Sequence, residues 1–415
     1  MKNQGVKTLN KNILSIAVGG LILLSAGLAT DSRAADEDKG LQFGGSIRGR
    51  YEYINWMNDS HDGGEAKDDR GRLRYRLRLD AKATINPNAG AYFRLVSGTD
   101  SRSGNVTLGG NPDFGPDSFS IRYAAMVLTP WDDGQLPSGN GKWAFDFGRV
   151  KNPFIWKGHG KDMMMWDGDI ALAGAGTQFS HKLGGSGKFF VQTGYYVIDE
   201  NSKNDSKDPY MAPIQGGVIF GKDTSFGIRG TYYYMSELDA AFIMRGVDGT
   251  DGTTSAGGNI EDGLTGDPEG GNLKVVEGQA FFATGLGSIP LVVSGGFANN
   301  SSAKVSVMYP DVDKNSVAYN FGFEIGSKKK ALLGGIGWYH IEANAFPAQF
   351  IDSDLLDGYT NREGVLIFLA KTVMKNTDLG LQFLRSDAIE KSDSLSESVQ
   401  DSKRNRLQVD MIYKF

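Results

Sequence analysis

Four arginines at alternate positions, Arg72, Arg74, Arg76 and Arg78, are the side chains whose type and spacing most invite chemistry. A spacing of two places all four on one face of an extended strand. A guanidinium stays charged and presents a fork of donors that fits carboxylates and phosphates. Facing acids, such a row would set a transverse field that orients polar solutes; the alternative is that the arginines only hydrate and pair within the wall. Arg48 and Arg50 have the same parity on the preceding segment, and Arg94 and Arg122 also fall on polar faces. Opposite charge is concentrated in 150–172, where Asp162, Asp167 and Asp169 stand among Phe154, Ile155, Trp156, Met163, Met164, Met165 and Trp166. A loop in water has little reason to keep so many apolar groups. The segment, including Asn152 and Pro153, is expected to fold inward and narrow the space in front of the arginines. The alternative is packing against a neighbouring subunit.

Catalytic readings are weak. There are four histidines, His61, His159, His181 and His340, and no cysteine. No metal-ligand spacing and no Gly-x-Ser-x-Gly turn occurs. His181 has the outward parity of a surface hydrolase, as would any histidine at a membrane interface. The acidic, glycine-rich 239–272 stretch lacks the ligand spacing of a calcium loop. The expectation is no enzyme, no metal and no cofactor.

The elements that position the arginines alternate with a period of two along the whole chain. Leu73, Tyr75, Leu77, Leu79, Ala81, Ala83 and Ile85 alternate with the arginine row, and Leu41, Phe43, Ile47, Tyr51 and Tyr53 alternate with Gln42, Ser46, Arg48, Arg50 and Glu52. Phe119, Ile121, Tyr123, Ala125 and Val127 are expected on one face. About 16 such runs occur, with 14 to 18 open, and most reach the 9–11 residues that a tilted strand needs to cross a bilayer. Turns such as 86–88 and 184–186 alternate with long links such as 57–69, 99–117 and 343–362. The pattern predicts an all-β, transmembrane, antiparallel up-and-down barrel, with the apolar face on lipid and the arginines toward the lumen.

Residues 1–34 read as a cleaved signal peptide: Lys2, Lys7 and Lys11, then an apolar run over 13–28, then Ser32-Arg33-Ala34. Cleavage would leave 35–415 as one barrel domain and take the formal charge from −5 to −8, which argues against a nucleic-acid partner.

The last strand alternates up to its final residue, with Tyr413 and Phe415 on the apolar face. This ending resembles the signal read by the outer-membrane assembly machinery. The run Gly148-Arg149-Val150-Lys151-Asn152-Pro153-Phe154, then Trp166-Asp167-Gly168-Asp169 and Gly174-Ala175-Gly176-Thr177-Gln178-Phe179, resembles the putative porin family of proteobacterial outer membranes. The likeness is most specific over 145–185, and the chain departs from it in carrying Gly168. It implies a Gram-negative outer-membrane barrel exported through the periplasm and surrounded by lipid. Passive diffusion of small hydrophilic solutes and ions is the leading expectation. A substrate-specific channel for a sugar, organic acid or oligosaccharide is the alternative, with a surface enzyme or adhesin behind it. A homotrimer is expected only by analogy with barrels of this size.

Overall fold

In the computed structural model the structure describes residues 40–56, 69–110, 115–131, 141–155, 166–201, 207–238, 259, 264, 271–305, 310, 313–390 and 403–415. The signal segment, most of 239–272 and Asp162 lie outside them.

The strands are β1 (Gly40–Trp56), β2 (Arg70–Asn86), β3 (Ala89–Ser97), β4 (Val106–Thr107), β5 (Phe119–Trp131), β6 (Gly141–Lys151), β7 (Ala171–Leu183), β8 (Gly187–Val197) and β9 (Tyr210–Gly221). They continue as β10 (Ser225–Ser236), β11 (Leu273–Leu286), β12 (Ile289–Asn300), β13 (Val317–Gly326), β14 (Leu333–Ile341), β15 (Arg362–Met374), β16 (Thr377–Ala388) and β17 (Arg404–Lys414). Apart from β4, each pairs antiparallel with its neighbours, and β17 closes on β1. The result is a closed barrel of sixteen long strands. The unforeseen β4 is a two-residue ribbon that pairs with Arg74 and Tyr75 where β3 has already ended.

The barrel is inside-out by the measure of a soluble protein. Phe43 is 78% exposed and Phe147 62%, while Arg50 is 3% and Glu52 1%. Only a lipid solvent makes such an exterior stable. Closure reaches the C-terminus, where Gly45 N donates to Phe415 O at 2.9 Å and Phe415 N to Gly45 O at 3.2 Å.

One face departs from strict alternation. In the β3–β5 ladder Arg94 pairs with Tyr123 but Leu95 pairs with Ile121, so Arg122 is an extra residue in a bulge. Phe119 and Ile121 face outward, while Tyr123 and Ala125 are buried inside. The single face expected for Phe119 through Val127 is thus corrected: the bulge switches the parity midway.

The lumen holds its own core. Phe154, Trp166, Tyr196, Tyr233, Phe346 and Leu356 belong to one buried apolar cluster. Phe154 and Trp166 come from the β6–β7 loop, and Phe346 and Leu356 from the β14–β15 loop. The long 343–362 link also folds inward, together with the first loop. Loop and inner wall bury one another's apolar groups.

Candidate functional site: an arginine wall facing two inward loops

The register of β1 and β2 sets the wall. Arg48 stands directly opposite Arg76, Arg50 opposite Arg74, and Glu52 opposite Arg72. Like charges in such positions repel, so compensation must come from elsewhere. Glu52 accepts from Arg72 Nε at 2.6 Å and lies 3.8 Å from Arg74. Asp410 on β17 takes Arg50 through Nε at 2.6 Å and Nη2 at 2.7 Å, and lies 3.6 Å from Arg48. The two loops supply the rest. Asp169 pairs with Arg78 and stands 3.5 Å from Arg76. Asp354 accepts from Arg50 Nη1 at 2.6 Å and Gln408 Nε2 at 3.2 Å.

The β6–β7 loop is seated by its backbone. Gln192 Nε2 donates to Pro153 O at 2.7 Å, and Gln215 Nε2 to Phe154 O at 3.2 Å. Arg229 also donates to Phe154 O. Asn152 Oδ1 accepts from Phe154 N at 2.9 Å, closing the turn that aims the ring inward. The Phe154 ring then meets Tyr196 and Tyr233 edge to face at 6.0 and 6.3 Å.

Trp166 joins the loops, stacking on Phe350 at 5.0 Å with Phe346 at 5.3 Å. Beside it Asp167 N donates to Phe350 O at 2.7 Å, and Asp167 Oδ2 accepts from Ser353 N at 2.8 Å. Burial pushes the Asp167 carboxyl well above the usual carboxylate range, and the nearby Asp352 and Asp169 carboxylates push the same way. Burial would raise Asp354 too, but the Arg50 guanidinium, with Arg48 and Arg406 behind it, holds that carboxyl well below its ordinary value.

Of the sequence-predicted residues, Arg48, Arg50, Arg72, Arg74, Arg76 and Arg78 therefore share one wall with Asp169 against it, while Asp167 binds loop to loop. Arg122 serves the loops as well, donating to Asp169 O at 2.9 Å and Asp100 O at 2.9 Å. Arg94 stands apart, bound to Asp80 at 2.5 and 2.9 Å beside a vestibule of about 650 Å³ that Asp146 and Gln178 also line. Tyr413 and Phe415 lie at the β17 end, stacked at 6.2 Å.

Asp354, Asp352, Arg102 and Asn105 escaped the sequence reading. Arg102 clamps the β14–β15 loop through Ala348 O at 3.1 Å and Gly358 O at 2.8 Å. The signal for this loop was present: Phe346, Phe350, Ile351, Leu355 and Leu356 are as apolar a set as the one that marked 150–172. Among the described residues no group of acids and histidines is arranged to hold a metal.

A closed membrane barrel whose lumen carries opposed charge defines the class, an outer-membrane channel. Residues 40–245 match the putative porin family. Three solved barrels share the fold. The outer membrane channel DcaP of Acinetobacter baumannii is 13% identical, with a TM-score of 0.51 over 93% of this chain and 100% of that one. OmpF of Salmonella typhi, solved with daunomycin, is 12% identical, with 0.51 over 92% and 99%. OprB of Pseudomonas putida is 11% identical, with 0.53 over 91% and 95%. No curated protein matches the sequence.

Proposed function

We propose that this channel passes small hydrophilic solutes and ions passively, sieved by its two inward loops and biased toward anions by the arginine wall. The observation that carries the reading is the one-sided lumen. Apolar loop segments fill the side bounded by β8–β16, which leaves the polar path along β1, β2 and β17, where arginines outnumber the acids that touch them. Charge lining a narrow path is how channels select ions.

The same reading has residues 1–34 removed on export, Phe415 closing the barrel and presenting the assembly signal, and no catalytic role for the histidines. It places the chain in a homotrimer by analogy with barrels of this size. A more selective channel, specific for one class of organic solute, is favoured by one feature: a polar cavity of about 190 Å³ lies against the wall.

Planar-bilayer conductance of the folded barrel under a salt gradient tests the reading. Steady steps with a reversal potential of anionic sign are expected, moving toward neutrality in Arg74→Gln/Arg76→Gln. A folded barrel that never conducts would sink the channel reading, and an unmoved reversal potential would remove these two arginines from the filter.

A further inference from the structure

The polar cavity is bounded by Arg48, Arg76 and Arg78 of the wall and, from the loops, by Arg102, Asn105 and the Asp167–Asp169 and Asp352–Asp354 acids. We propose that it is a seat for one small monocarboxylate, held by the forks of Arg48 and Arg76; this rests on the channel reading above. Arg48 and Arg76 face each other across the ladder and are only 5% and 9% exposed. The Nε of each is buried and finds no acceptor in the protein. The acids nearest them are engaged elsewhere. Asp410 holds one edge of Arg50 with both its carboxylate oxygens and reaches Arg48 only at 3.6 Å. Asp169 makes its closer contact with Arg78 and reaches Arg76 only at 3.5 Å. Two buried guanidiniums side by side, each sharing its acid with a more closely held arginine, are incompletely compensated, and an anion between them relieves the cost.

The chemistry of that anion follows from the surroundings. A guanidinium fork matches two coplanar oxygens, which favours a carboxylate over a spherical halide. Asp169 and Asp354 lie across the cavity, so a second negative charge on the ligand is opposed. A volume of about 190 Å³, roughly six waters at about 30 Å³ each, suits an acid of a few carbons. Asn105 fixes one side of the seat: its Oδ1 accepts from Arg48 Nη2, and its Nδ2 is committed to Ser103 Oγ at 3.0 Å.

The test is binding of propionate to the folded barrel in detergent, read by saturation-transfer NMR, which does not depend on conduction. Saturable binding is expected in the unmodified protein. Lysine keeps the charge and loses the fork, so Arg76→Lys and Arg48→Lys should weaken binding at least about tenfold, the loss of one charge-assisted hydrogen bond. Arg94→Lys, at the separate vestibule, should bind as the unmodified protein does. Competition on the unmodified protein decides the matter if a lysine variant does not fold: acetate should displace propionate, while phosphate and chloride at equal ionic strength should not. Equal binding by Arg76→Lys, or displacement by phosphate as effective as that by acetate, would overturn the seat and leave the channel reading standing. Saturable propionate binding by a folded barrel that passes no current would do the reverse.

Discussion

Asp354→Asn is expected to loosen the β14–β15 loop from the arginine wall and make the channel both wider and more anion-selective. Asp354 reaches across the lumen to Arg50 at 2.6 Å and Gln408 at 3.2 Å, and its own carbonyl accepts from Gln382 at 3.1 Å. A hydrogen bond to a charged partner contributes about 1.5–3 kcal/mol. Arg50 keeps both bonds to Asp410 in the variant, the Asp354 side chain is 28% exposed, and asparagine still offers an acceptor. The loss should then fall near the lower end, about 1–2 kcal/mol. That shifts the ratio of seated to released loop by about 5- to 30-fold. Removing one negative charge from the path moves the reversal potential further toward the anion value. The sign with pH follows from the lowered Asp354 pKa: the latch persists above the ordinary aspartate value near ~3.9 and is lost only as pH falls through the lower folded value. Conductance of the unmodified channel should thus stay level from neutral pH down to about 4, as far as this latch governs it. Single-channel recording, with heat-modifiability on gels to show an intact barrel, measures all three. Unchanged step size and unchanged reversal potential in a folded Asp354→Asn barrel would refute the latch.

Three further outcomes are expected. Phe154→Ala removes a fully buried ring packed between Tyr196 and Tyr233, which costs about 3–5 kcal/mol; limited proteolysis of the intact barrel should reveal new cleavage around 152–170. Asp167 has a raised pKa, so its contribution to the contact between the loops is full below ~3.9 and is lost as pH rises through the folded value. Asp167→Asn should flatten that part of the pH dependence of single-channel noise. Deleting Phe415 removes both backbone bonds to Gly45 and should lower the fraction of heat-modifiable protein recovered in the outer membrane; an unchanged fraction would deny the terminus that role.

The barrel itself was legible. Period-two alternation is a local property, and lipid outside with water inside forces it on every strand independently. Even the C-terminal residue could be placed, since its parity continues that of Leu407, Val409 and Met411. The arginine wall was legible for the same reason: four arginines on one strand share a face whatever the rest of the chain does. The Arg122 bulge was not, because one inserted residue is invisible until the partner strand supplies a register.

What the sequence alone determined, then, is the set of faces: apolar outward, charged inward, closed by an ending strand of the same pattern. Tertiary structure decided which charges meet. Arg48 lies opposite Arg76 only through the β1–β2 register, Asp410 reaches Arg50 only because β17 closes on β1, and Asp354 reaches the same arginine from 304 positions away. Strand faces follow from nearest neighbours along the chain. Pair energies fall off with distance in space, which sequence separation does not encode.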